Sequence, residues 1–217
     1  MNNRMRLKAH GKINLGLDVL RRREDGYHEV KMVMQTVGLY DSIDLRAVSR
    51  PGIRVETNLY YLPNDQNNLV WKAAEMLMKE FDLQGGLDIR LRKMIPVAAG
   101  MAGGSSDAAA VLYGANRMFR LNLTMEELKE RGVRIGADVP YCLMRGTALS
   151  EGIGEILTPL PPAPQCFVLL AKPGISVSTK WVYTNLHANE LKPEDHPDID
   201  GMVEAIRRGD LKGMADK

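Results

Sequence analysis

The stretch "LDIRLRKMIPVAAGMAGGSSDAAAVLYGANRMF", Leu87–Phe119, restricts the fold more than any other part of the chain. Leu87, Ile89 and Leu91 alternate with Asp88, Arg90 and Arg92, so a strand there has one apolar and one charged face. It runs through Pro96 into a loop of glycine, alanine and serine, after which "SSDAAAVLYGANRMF" is a helix by its alanine content, with Ser or Asp at its start. A glycine-rich stretch between strand and helix lets backbone N–H groups turn toward one point. The helix end adds its own unpaired donors and the positive end of its dipole. That geometry binds phosphate, with Ser105 and Ser106 placed to add hydroxyls. It is no Walker A loop, because Gly104 is followed by Ser105 rather than by Lys-Ser or Lys-Thr. Nor is it a dinucleotide fingerprint, since the glycine spacing is wrong and no acidic residue ending a second strand follows at the usual interval. A tight turn with close helix packing explains the same composition equally well.

Before this unit the chain reads as β-structure. Ile13, Leu15 and Leu17 alternate in "RMRLKAHGKINLGLDVLRR", and Val30, Met32 and Met34 in "YHEVKMVMQTV". "REDGYH" between them carries an Asp-Gly turn signal. "DSIDLRAV" and "GIRVETN" are expected as two further short strands. "NNLVWKAAEMLMKEF" then changes to helical spacing and is closed by Gly85 and Gly86. In "TMEELKERG" Thr124 and Glu127 have capping-box spacing, and Gly132 is placed to end the helix. Prolines in "LTPLPPAPQ" suggest a boundary, giving domains 1–157 and 158–217. Beyond it "CFVLLAKP" is expected as an apolar strand, and "STKWVYTNL" and "HPDIDGMVEAIRRGD" as helices.

Charge and cysteine content exclude several classes. With 29 Lys and Arg against 27 Asp and Glu, dispersed along the chain, no nucleic-acid surface is indicated. Cys142 and Cys166 sit in apolar surroundings without a metal-binding pattern, so both are expected as packed thiols in a cytoplasmic setting. No signal peptide and no long apolar run is seen, and no membrane role is expected.

Two further sites carry candidate chemistry. "GKINLGL" puts Lys12 and Asn14 on one face of a strand, where a lone Lys is most often a solvated edge residue. In "GADVPY", Asp138 stands before Val139-Pro140, which reads equally as a helix cap or turn former.

In combination, "KINLGL", "DGYHE", "PVAAGMAGGSSDAA", "IGADVPY" and "EGIGE" occur in the order of the GHMP kinase superfamily, which the chain resembles from about Lys8 to Tyr183. Within it, "GKINLGL" with "DGYHE" is similar to the branch acting on a cytidine-diphosphate-linked methylerythritol. The resemblance implies an α+β two-lobed GHMP kinase fold, with a ribosomal-protein-S5-like N-terminal lobe and an incomplete ferredoxin-like C-terminal lobe. It also implies transfer of the γ-phosphoryl group of ATP to the substrate's 2-hydroxyl, a reaction that asks mainly for alignment and charge stabilisation. By the same resemblance Asp138 accepts the hydroxyl proton, and Lys12 holds Asp138 ionised and stabilises the developing charge. Asn14 fixes substrate hydroxyls, while Tyr27, His28 and Tyr183 recognise the cytidine, with the tyrosines as the two faces of a stack. Gly100, Gly103, Gly104, Ser105 and Ser106 cradle the phosphates, with Asn68 and Lys93 near adenine and ribose. Mg2+ is implied by the transferred charge, without a carboxylate cage to announce it. Asp107 reads as a helix-start carboxylate, and His10 and His187 carry no assignment.

The chain departs from the family pattern in two ways. Ala98, Ala99 and Ala102 stand where many members have glycine, so the backbone there is expected to avoid positive φ. The family's third, glycine- and serine-rich motif is absent before the chain stops at "GDLKGMADK". This leaves open a nucleotide-binding but inactive fragment beside the active kinase, and a sister kinase acting on another small alcohol. An RNA-binding module fits the charge less well. A homodimer is left open.

Overall fold

The computed structural model describes residues 3–175 and 178–217. Alternation in the N-terminal region produces two long strands, β1 (Arg4–Arg22) and β2 (His28–Val48), paired as a hairpin. The Asp-Gly turn forms as its sequence requires: Gly26 takes φ +87°, and Asp25 Oδ1 accepts the Tyr27 N–H at 3.1 Å. "DSIDLRAV" is no separate strand, since β2 continues through it unbroken for 21 residues. Asp41 is tolerated there because its carboxylate accepts the backbone N–H groups of Met94 and Ile95, the latter at 2.8 Å.

The chain continues through β3 (Gly52–Thr57), α1 (Leu69–Glu80), β4 (Gly86–Arg92), α2 (Gly103–Phe119), α3 (Met125–Val133) and α4 (Val139–Met144). Then follow β5 (Thr147–Glu151), β6 (Ile156–Pro159), α5 (Thr179–Asn185), α6 (Ile199–Arg208) and α7 (Leu211–Ala215). These elements form two compact units interleaved along the chain. Unit one holds the residues up to Gly11, Val37–Val97 and Met101–Met144; unit two holds Lys12–Thr36, Ala98–Gly100 and the chain from Arg145 onward. The proline stretch at 157–165, where the sequence suggests a boundary, lies within unit two.

In unit one β4 pairs parallel with β3 and antiparallel with the end of β2, in a register running from Ser42 opposite Arg92 to Val48 opposite Gly86. The expected apolar face is inside: Ile43, Leu45, Leu87, Ile89 and Leu91 are buried with Val70, Ala73 and Leu77 of α1 and Leu112 of α2. Small residues let α2 come close. Ala108, Ala109 and Ala110 are buried, and a side chain at Gly114 would run into Leu7 and Leu45. Thr124 and Glu127 form the predicted capping box on α3. Gly132, however, does not end that helix; its missing side chain lets α3 lie against Val139 and Leu143 of α4.

In unit two the first part of β2 pairs with β5, and β5 with β6. The amphipathic α6 closes the core, where Val33 packs with Ile199, Met202, Val203, Ala205, Ile206 and Met214. Pro159, the last residue of β6, is tolerated because that strand lies at an edge of the sheet. "CFVLLAKP" is not the strand its composition suggests. No described strand pairs with it, and Phe167 and Leu169 are almost wholly exposed, at 107% and 94%. Cys142 is buried as expected, whereas Cys166 on this segment is exposed. Among the described residues no helix is long and apolar enough to cross a membrane.

Candidate active site

The glycine loop joins β4 to α2, both in unit one, and its residues Ala98–Gly100 group with unit two. The helix starts at Gly103, ahead of the expected serines, and its N-cap is Ala102 without any side-chain cap. Ala98 and Ala102 both stand at φ +53° and Gly100 at φ +68°. The expectation that the alanines avoid the left-handed region is therefore overturned at Ala98 and Ala102, at a strain of roughly 1–2 kcal/mol for each, and holds at Ala99. The tight turns bring the chain onto the helix start within a short loop. The helix ladder opens with the Ser106 N–H bonded to the Ala102 carbonyl at 2.8 Å. The N–H groups of Gly103, Gly104 and Ser105 precede that bond and have no partner inside the helix. Gly104 is exposed and Ser105 half-buried, so this end of α2 presents donors of the kind an anion requires. Ser106 differs from its neighbour: its buried hydroxyl donates to the His10 carbonyl at 2.6 Å, which ties α2 to β1 and uses its single donor.

Beneath the loop lies a charge cluster that local sequence does not reveal. The ammonium of Lys93, expected to face adenine and ribose, is buried and donates to Asp41 and to Asp107 Oδ2, the latter at 2.6 Å. Burial alone would push Lys93 down, but the Asp107 and Asp41 carboxylates outweigh it and hold it above the ordinary lysine value. Burial pushes the Asp107 carboxyl up to about 8 against the pull of Lys93, and Asp41 adds to the rise. Asp107 Oδ1 is buried without a hydrogen-bond partner. Asn68 caps α1: its Oδ1 accepts the Val70 N–H at 3.1 Å and its Nδ2 donates to the Pro63 carbonyl at 2.8 Å. Its neighbour Leu69 stands against Gly104 of the loop.

Asp138 immediately precedes α4, which starts at Val139 even though Pro140 follows. The Asp138 carbonyl accepts the Cys142 N–H at 3.0 Å, and its side chain is half-buried. This turn lies by the start of α2 within unit one, since a Cβ at Gly136 would stand 3.7 Å from Ser105 Oγ.

Unit two carries the remaining candidates. Lys12 is buried on β1 rather than being a solvated edge residue, and its Nζ donates to Asn14 Oδ1 at 3.0 Å. The ring pair formed is His28 with Tyr183, centroids 5.0 Å apart, while Tyr27 on the hairpin turn is 60% exposed. Asp18, two strand pairs beyond Asn14 on the same face, is buried and bonded to His196 at 2.7 Å, a contact across 178 residues that carries no local signal.

The GHMP kinases N terminal domain matches residues 68–146, the segment that carries the loop, α2 and Asp138. A curated 4-diphosphocytidyl-2-C-methyl-D-erythritol kinase of Lachnospira eligens is 58% identical over 98% of this chain and 73% of its own length. The enzyme of that name from Lachnoclostridium phytofermentans is 56% identical over 96% of this chain and 71% of its own. The chain belongs to this kinase family. A crystal structure of 4-(cytidine 5'-diphospho)-2C-methyl-D-erythritol kinase superimposes with a TM-score of 0.74 at 33% identity, covering 94% of this chain and 72% of that one. A homoserine kinase from Cytophaga hutchinsonii, at 18% identity and a TM-score of 0.69, shares the fold over 100% of this chain and 71% of its own.

Proposed function

We propose that the protein transfers the γ-phosphoryl group of ATP to the 2-hydroxyl of 4-diphosphocytidyl-2-C-methyl-D-erythritol. The observation that carries the reading is in unit one: Ala102 at φ +53° turns the chain into the start of α2, where the N–H groups of Gly103, Gly104 and Ser105 have no partner inside the helix, and the turn bearing Asp138 lies beside Ser105. Gly100, Gly103, Gly104 and Ser105 receive the nucleotide phosphates, while Ser106 holds the loop to β1 and Asn68 orders the start of α1 at its side. Asp138 accepts the proton of the acceptor hydroxyl. A carboxylate suffices because a loose transition state demands little deprotonation until late. Lys12 stabilises the charge on the transferring group, with Asn14 fixing its ammonium and the substrate hydroxyls. Tyr27, His28 and Tyr183 bind the cytidine, the exposed ring of Tyr27 offering a stacking face.

Among the described residues no group of three His, Cys, Asp or Glu side chains is placed to hold a metal ion. On this reading the nucleotide phosphates themselves would hold magnesium, which would supply charge neutralisation there. Residues 1–157 are assigned to an S5-like lobe and the chain from 158 to a ferredoxin-like one, in a cytoplasmic enzyme. The test is mass-spectrometric detection of phosphorylated product from Mg-ATP and the cytidine substrate, with Asp138→Asn as control. Product from the parent and a loss of about a hundredfold or more in the variant are expected. Equal product from both removes Asp138 from its role, and phosphorylation of mevalonate in place of the cytidine substrate overturns the substrate.

A further inference from the structure

We propose that Asp41, Lys93 and Asp107 form a buried clamp that presets the nucleotide-phosphate loop, which makes them positioning residues for ATP; this rests on the reading above. The clamp touches both ends of the loop. On the β4 side, Asp41 Oδ1 accepts the N–H groups of Met94 and Ile95 just before Pro96, while its other oxygen takes the Lys93 ammonium. On the helix side the same ammonium donates to Asp107, one turn into α2. Gly103, the first helical residue, lies directly over it: a Cβ there would stand 3.1 Å from Lys93 Nζ and 3.2 Å from Ile95 Cγ2. One cation thus joins the departure of the loop to its return, and the glycine at the junction is the residue type that fits.

The loop needs such a restraint. Ala98 and Ala102 are held at φ +53°, a conformation that L-residues leave when their surroundings allow. Without the ties the alanines relax, and the N–H donors of Gly103, Gly104 and Ser105 lose their common direction. All three clamp side chains are at most 7% exposed, so the network reaches the nucleotide only through the loop it holds. The placement also explains why Lys93 is turned away from solvent: its charge acts by fixing donor geometry, which is where phosphate-binding loops draw their affinity. Asp107 is the member that can be changed with the rest in place, since Asp41 keeps Lys93 paired.

The experiment compares the full chain with Asp107→Ala and Asp107→Asn by calorimetric titration of Mg-ATP and, separately, of the cytidine substrate, together with a ligand-free melt. Asp107→Ala is expected to weaken ATP by about tenfold or more and to leave the cytidine substrate unchanged. Asp107→Asn keeps an acceptor for Lys93 and is expected to bind ATP as the parent does. The clamp is overturned if Asp107→Ala binds ATP like the parent, if both ligands weaken alike, or if the asparagine fails to rescue. Should Asp107→Ala not melt cooperatively, the double variant Lys93→Met with Asp107→Asn carries the same test, because it removes the tie without leaving a buried unpaired carboxylate on α2. A parent chain that binds no ATP sinks the functional reading itself, a result separable from those above.

Discussion

Replacing Gly132 by alanine probes the contact on which the Asp138 turn rests. The added Cβ would lie 2.9 Å from Val139 Cγ1, 3.4 Å from Val139 Cβ and 3.5 Å from Leu143 Cδ1. Carbon atoms pack best at roughly 3.5–4.0 Å, so α3 and α4 must part by about 0.6–1 Å. Forcing one methyl into such a contact costs about 1–3 kcal/mol, whereas alanine for glycine inside a helix returns about 1 kcal/mol. A net loss of about 1 kcal/mol follows, or a fall of about 2–4 °C in Tm for a chain of this size. The sign is the sharper readout. In a Val139→Ala background the obstructing methyl is gone, so Gly132→Ala should there raise Tm through helix propensity alone. Thermal melts of the four proteins measure both effects. A higher Tm for Gly132→Ala in the parent background would refute the packing argument, and with it the claim that Gly132 serves α4 rather than the end of α3.

The Asp107 carboxyl rises from 3.8 to about 8 on folding, so between those values the native chain binds a proton that the unfolded chain has lost, and stability falls as pH rises through that window. Asp107→Asn should remove this slope, so that its Tm relative to the parent increases from about pH 5 to about pH 8; a difference that stays constant with pH contradicts the buried, proton-holding carboxyl. Phe167→Ser should leave Tm unchanged, within about 0.5 kcal/mol, because Phe167 loses no contact with water on folding. A clear drop in the melt would place that ring in a core.

Much of the local structure around the candidate site was legible in the sequence because its signals are local. The Asp-Gly turn, the alternation of "LDIRLR", the capping box at Thr124 and the glycine loop before an alanine-rich helix each follow from residues a few positions apart, whose sterics and hydrogen bonds act within that span. Other features needed partners brought from far along the chain. Nothing near Asp41 in the sequence announces that Met94 and Ile95 supply donors for it, and Lys93 is expected near adenine and ribose whereas Asp41, 52 residues earlier, claims its ammonium. Ser106 reads as a phosphate ligand until β1 places the His10 carbonyl under its hydroxyl. "CFVLLAKP" errs in the opposite direction: its composition suits a strand, but a strand exists only where a neighbour completes its hydrogen bonds, and none of the described strands does so.

The sequence by itself therefore determined the strand, the glycine loop and the helix that follows it, and the motif order that marks a GHMP kinase. Only the tertiary structure decided which polar side chains are buried with partners, as Lys93, Asp107 and Ser106 are, and that alanines occupy left-handed turns. Backbone preference and periodicity are properties of neighbouring residues, while the cost of burying a charge depends on whichever group the fold carries to within hydrogen-bond reach of it.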